Sequence, residues 1–381
     1  MARTSLHGLW LVCLLSACAS QPANENPDVS TPVEETQSAP EPAREPEPVV
    51  PEAPPKPLTE LTIAAVGDMM IGTDYPRSRL PDDDAVGFFQ GVQNLLQAPD
   101  ITFGNLEGVL IDGGEPAKKC SNPAACYLFR SPTRYGAIFA AAGFDAISLA
   151  NNHARDFGEE GRDSSMAALS ALGIKHSGRD GEFAEWLEGD TRVALAAFAV
   201  TRNSNSMLEP DLAAAQVFEL AQRNDLVIVS FHGGAEGLDA VHIPFGEETY
   251  YNEPRGDVVR FARMMVDAGA DLVFGHGPHV VRGMELYRDR LIAYSLGNFA
   301  TYYGISVAGI KGRAPILETT VLSDGQFVSG KIHSTVQNRP NGPTLDPEQE
   351  ALHWTRRLSL KDFGDPGLIF EADGSLKRKS H

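Results

Sequence analysis

With 381 residues, of which 42% are hydrophobic and 22% charged, the chain carries enough apolar material for one large domain or two ordinary ones, which argues against a disordered or multi-span membrane protein. Its 51 acidic residues against 32 basic ones leave a formal net charge of −19. Proteins that grip phosphate backbones do so through clustered Lys and Arg, so nucleic acid is not expected as a partner.

At the N-terminus, Arg3 supplies a positive charge and Leu9 to Leu15 form an apolar run too short for a mature membrane span, so residues 1–17 form a signal peptide. The run ends in Leu15-Ser16-Ala17-Cys18, which resembles the lipobox of bacterial lipoproteins. That resemblance implies cleavage before Cys18 and lipidation of its thiol, and Ser20 matches the pattern for sorting to an outer membrane. The expected location is the cell envelope, with the membrane a partner through the lipid and the chain on its periplasmic or surface face. Residues 18–58 are Pro- and Glu-rich with almost no aromatic content, the composition of an extended, disordered tether.

From Leu61 the pattern changes to short apolar runs separated by helical spacing, the signature of βαβ units and an α/β fold. Strands are expected over 61–66, 100–103, 146–149, 192–200, 226–231, 272–274 and 291–295, and helices over 85–96, 133–142, 161–172, 211–223 and 255–268. The last helix is the clearest, with Val258, Val259, Phe261, Ala262, Met265 and Val266 on one side and Gly269 closing it. Cys120 and Cys126 are the pair left to the folded part, and around Asn122-Pro123 they are expected to close a small disulfide in an oxidising envelope.

Polar residues follow these apolar runs at short distance: Asp68, Glu107, Asn152 with His153, His232, and His276 with His279. Loops after the C-terminal ends of parallel strands meet on one edge of a sheet, so residues far apart in sequence can converge there. Four of the ten histidines fall in this set. Imidazoles, carboxylates and an amide oxygen together suit Mn, Zn or Fe, one ion or two. Such ions polarise phosphoryl oxygens and supply hydroxide at neutral pH, and His153 would protonate a leaving oxygen. Asp156 and Glu236 are candidates to orient the imidazoles, and Arg155 and Arg282 to contact an anion.

In order, Gly67-Asp68, Asn105-Leu106-Glu107, Asn151-Asn152-His153, His232-Gly233-Gly234-Ala235-Glu236, Gly275-His276-Gly277-Pro278-His279 and Ser295-Leu296-Gly297-Asn298-Phe299 resemble the motifs of the CapA family, linked to poly-γ-glutamate capsule synthesis. The resemblance covers 59–338, leaves 339–381 as a C-terminal extension, and implies a calcineurin-like metallophosphoesterase fold of two mixed β-sheets sandwiched between helical layers. It makes Asp68, Glu107, Asn152, His232, His276 and His279 metal ligands and His153 the catalytic acid. The implied role is support of capsule or polymer synthesis and export, with an anionic polymer or phosphoester as substrate and polymer synthase or export proteins as partners. A non-catalytic scaffold, or hydrolysis of an amide or peptide bond at the same site, are the alternatives. Two departures from the wider phosphoesterase pattern stand out: Met70 where a His is usual, and a spacing of three positions from His276 to His279 where that pattern has His-x-His.

Overall fold

The computed structural model describes residues 57–118 and 127–380. Cys18, Cys120, Cys126, the signal peptide and nearly all of the tether lie outside the described residues.

Two mixed sheets form the frame. The larger contains parallel neighbours Glu60–Met70, Ile101–Leu106, Ala146–Ser148 and Lys175–Ser177, extended on the other side by the antiparallel hairpin Arg313–Leu322 and Phe327–Gln337. The smaller holds Thr191–Ala199, Leu226–His232, Leu272–His276 and Arg290–Ala293 in parallel, with an antiparallel strand at each edge. Every residue of Leu226–His232 and Leu272–His276 is buried, as parallel strands covered on both faces require.

Three apolar layers explain the stacking. Ile63, Ala65, Ile101 and Phe103 of the larger sheet meet Val193, Leu195, Ile228 and Phe274 of the smaller. The opposite face of the larger sheet packs under helices through Ala64, Val66, Phe139, Ile147 and Leu169. The outer face of the smaller sheet does so through Ala196, Val217, Val229, Phe261 and Val273. Helix, sheet, sheet, helix is therefore the order of layers, as expected.

The helix Val258–Asp267 buries the six apolar side chains read from its spacing, and its Val, Phe and Met side chains are each worth roughly 1.5–3 kcal/mol when removed from water. Its start is fixed by Asp257, whose carboxylate accepts a hydrogen bond from the Arg260 N–H. The expected helix over 85–96 is mostly absent: tight turns carry the chain from Pro81 to Val92, and only Gln93–Gln97 is helical. Asp84 and Ala85 account for this, since both take positive φ, which an α-helix does not admit, and the Asp83 carboxylate accepts the N–H groups of Ala85 and Gly87 in the resulting turn.

Residues beyond 338 are built into the same compact unit. Ser375–Arg378 pairs with Phe327–Gln337, and Leu352, Leu368, Phe370 and Leu376 enter the layer between the sheets.

Candidate metal centre

The two sheets bring the C-terminal ends of their parallel strands to one place, and each sheet contributes a different chemistry. Strand Glu60–Met70 changes partner along its length: residues up to Val66 pair with Arg313–Leu322, whereas Asp68 to Met70 pair with Asn298–Thr301. The register also shifts here against both flanking strands, an irregularity that re-aims a side chain. Gly67 permits the crossing, because a Cβ on it would sit 2.0 Å from the Gly297 carbonyl oxygen. The following residue is Asp68, which is fully buried.

Asp68 and Glu107 are held together by one amide. Asn105, registered beside Asp68, donates through Nδ2 to Asp68 Oδ1 at 2.9 Å and to Glu107 Oε2 at 3.2 Å. Asn151 in turn donates to Asn105 Oδ1 at 3.2 Å and to the Leu106 carbonyl at 2.7 Å. From the smaller sheet, His232 and His276 stand side by side in register. His232 Nε2 lies 3.3 Å from Glu107 Oε2, and His276 Nδ1 lies 3.2 Å from Asp68 Oδ1 without the alignment of a hydrogen bond.

His279 completes the group. Its Nδ1 is 2.9 Å from Asp68 Oδ2, and its Nε2 is 3.8 Å from Glu107 Oε1 and 4.0 Å from Glu236 Oε2. It has a positive φ of 56°, an uncommon conformation for a non-glycine residue, and Asn298 Nδ2 donates to its carbonyl at 3.2 Å. Donor atoms of Asp68, Glu107 and His279 all lie within 4.8 Å of one another.

Charge is strongly perturbed in this enclosure. Burial alone would push the Asp68 carboxyl up, yet His276 and His279 hold it well below the usual carboxylate range. Glu107 is likewise lowered: burial and Asp68 oppose its ionisation, and His232 and His279 outweigh them. Burial would depress the His279 imidazole, but Glu107, Asp68 and Glu236 push it up to about 10.

The donor set fits a divalent ion. Buried polar atoms are normally hydrogen-bonded, but Glu107 Oε1, Asn152 Oδ1, His232 Nδ1 and both ring nitrogens of His276 are buried without a hydrogen-bond partner. Four of the six residues matched to ligand positions therefore carry orphaned donors. No hydrogen bond among the described residues ties the Asn152 side-chain oxygen to the cluster, and it is Asn151 whose amide joins the hydrogen-bonded network. Met70 packs with Phe129 and Ile305 in an apolar cluster, so position 70 itself offers neither an imidazole nor a carboxylate.

His153 lines a cavity of about 250 Å³ together with His279, Glu236, Phe129 and Lys311. Its Nδ1 is 2.7 Å from Asp156 Oδ2, and its ring lies against Phe129 at 4.2 Å between centroids. Asp156 also accepts the Phe129 N–H at 2.8 Å and pairs with Lys118 at 3.3 Å. Donation of Nδ1–H to this carboxylate leaves Nε2 as the basic or acidic atom. Glu236 is fixed by Arg255 at 2.8 Å. Arg282 is no anion contact: it is fully buried, bonded to both oxygens of Glu248 at 2.8 and 2.7 Å and to the Ala240 carbonyl at 2.7 Å. Arg155 pairs with Glu159 at 2.6 Å.

Asn105, Asn151, Asn298 and Lys118 were not assigned roles from sequence. A polar side chain inside the otherwise apolar run Ile101-Thr102-Phe103-Gly104-Asn105-Leu106 is the signal that marks the first of them.

A four-layer α/β/β/α domain with an oxygen- and nitrogen-donor site at the strand ends defines the class. Residues 62–303 match the family described as bacterial capsule synthesis protein PGA_cap, and the chain belongs to that family. Among its relatives are the PGA biosynthesis protein CapA of Bacillus subtilis (strain 168), 27% identical over 256 residues covering 63% of each chain, and the capsule biosynthesis protein CapA of Bacillus anthracis, 28% identical over 263 residues covering 63% of this chain and 59% of the relative. The match thus spans about three-fifths of these curated relatives. Among solved structures, a putative 5'-nucleotidase from Staphylococcus aureus shares 12% identity with a TM-score of 0.39 over 76% of this chain and 53% of its own. A purple acid phosphatase from yellow lupin (Lupinus luteus) seeds shares 8% with a TM-score of 0.36 over 76% and 55%. At such scores these likenesses add nothing to the fold described above.

Proposed function

We propose that this chain is an envelope lipoprotein that supports synthesis or export of an anionic surface polymer, and that it does so as a metal-dependent, phosphoesterase-like hydrolase. The observation that carries the chemistry is the set of orphaned donors on Glu107, Asn152, His232 and His276, buried where stability alone would demand partners. Asp68, Glu107, His232, His276 and His279 would hold Mn, Zn or Fe, with Asn152 as a further donor. One ion is the better furnished number, since Met70 supplies no imidazole or carboxylate.

A bound divalent ion would polarise a phosphoryl oxygen and make water nucleophilic at neutral pH. The chain's own residues do the rest. Asn105 fixes the two carboxylates against each other. Asp156 holds His153 so that its Nε2 delivers a proton to a leaving oxygen in the cavity shared with His279. Hydrolysis of phosphomonoesters, phosphodiesters and γ-glutamyl peptides by the purified protein, with its metal content, tests the assignment. Cleavage of the peptides alone would move the activity to an amide bond, and no metal with no hydrolysis would leave a scaffold.

The anchor is part of the proposal. Lipidation of Cys18 would place the domain at the end of an acidic, Pro-rich tether of about forty residues, long enough to reach polymer synthase or export proteins at the membrane. Cys18→Ser is expected to move the protein from the membrane fraction to the soluble fraction, and membrane retention in that variant would refute the lipid anchor.

A further inference from the structure

Beside the metal centre lies a second, larger cavity, of about 620 Å³, which shares Tyr127, Phe129, Gly304, Ile305 and Ser306 with the cavity of His153 and His279. Its walls carry Arg77, Arg79 and Arg339 and no Asp or Glu, although the chain as a whole has 51 acidic residues against 32 basic ones. None of the three arginines forms an ion pair among the described residues. Two of them lie over the Tyr303 ring, with the Arg339 guanidinium 5.0 Å and the Arg79 guanidinium 5.6 Å from its centroid. Arg339 Nε is buried without a hydrogen-bond partner, while another nitrogen of the same group donates to the Ile305 carbonyl. Lys311 continues the cationic surface into the His153 cavity.

Arginines stacked on an aromatic face keep their in-plane N–H groups free for carboxylate or phosphate oxygens. A guanidinium cluster that makes no ion pair among the described residues also creates a local field opposite to the protein's overall charge, which a strongly acidic protein needs if it is to draw in an anion.

We infer that this groove is an anion subsite, in which Arg77, Arg79 and Arg339 hold the charged body of an extended oligoanion while its reacting bond lies in the His153 cavity. The inference rests on the reading of the neighbouring centre as a site for anionic substrates, and it names what gives that site its preference for chains over small esters. Repeating carboxylates and repeating phosphates present the same chemistry to these arginines.

Calorimetric titration of the full chain with γ-linked hexaglutamate, with a polyphosphate of similar length and with γ-linked hexaglutamine tests it, alongside turnover of 4-nitrophenyl phosphate. Wild type should bind at least one oligoanion, more weakly as salt rises, and should not bind the amide. Preference for the carboxylate or the phosphate chain names the source of the substrate. Arg77→Gln/Arg79→Gln, at exposed positions where folding is not at stake, should weaken that binding at least ten-fold, and adding Arg339→Gln should weaken it further, with 4-nitrophenyl phosphate turnover unchanged. Equal affinity in the variants, equal binding of the amide, or no oligoanion binding by the wild type would overturn the subsite. Loss of the metal-centre reading would show differently, as oligoanion binding retained by a protein that holds no metal and turns over nothing.

Discussion

Two clusters of buried charge stand close together in this fold, and they are built on opposite rules. Arg282 and Glu248 satisfy each other through two short hydrogen bonds, with the Ala240 carbonyl and the Ala235 N–H taking further positions. The group of Asp68, Glu107, His232, His276 and His279 is as deeply enclosed but leaves donors on three of its members without partners. A charge buried for architecture is closed on all sides. A charge buried for chemistry leaves positions open for something else, and stability suffers there.

Replacement of one member in each cluster separates these rules most strongly. Arg282→Met strands the Glu248 carboxylate and is expected to cost roughly 3–5 kcal/mol of unfolding free energy, with metal content per folded molecule unchanged. His276→Leu removes two unpartnered nitrogens but also one of the two imidazoles that hold Asp68 ionised, so in chelator-treated protein its urea midpoint should fall less than that of Arg282→Met, while hydrolysis falls at least a hundred-fold. A large loss of stability in His276→Leu without any loss of activity would reverse the roles of the two clusters.

A smaller effect is expected one contact further out. Asp156→Asn keeps the shape but weakens the acceptor of the His153 Nδ1–H, and removal of such orienting partners typically costs about 10–100-fold. The fall should appear in kcat and displace the pH profile, with metal content retained. An unshifted profile would make Asp156 a partner only of Phe129 N–H and Lys118.

A last effect, on stability alone, lies away from both clusters. Burial pushes the Asp271 carboxyl from its ordinary 3.8 up to about 7, against the Val227 N–H and Arg290. Because the folded state favours the protonated form, this contribution is complete below pH 3.8 and is lost as pH rises through about 7. Urea midpoints of chelator-treated protein should therefore decline more steeply across that window in wild type than in Asp271→Asn. Parallel declines would show that Arg290 already neutralises the carboxylate.

Much of the frame was legible because fully buried parallel strands announce themselves as unbroken apolar runs: Leu226–His232 differs from its expected range by a single residue. The hairpin Arg313–Leu322 and Phe327–Gln337 escaped notice although Asp324-Gly325 marks its turn, for its burial alternates only in part. The turns after Pro81 escaped because apolar spacing does not register that Asp84 and Ala85 take positive φ. At the site, strand-end position singled out Asp68, Glu107, His232, His276 and His279. What spacing could not show is partnership: that Asn105 clasps both carboxylates, or that Arg282 is consumed by Glu248, thirty-four residues away.

Metal stoichiometry tests the role of the open cluster most directly. Elemental analysis of wild type, His276→Leu and Arg282→Met purified side by side without added metal should give about one Mn, Zn or Fe per chain in wild type and in whatever Arg282→Met remains folded, and almost none in His276→Leu. Equal metal in all three, or none in wild type even after incubation with each ion, would contradict a metal centre at this site.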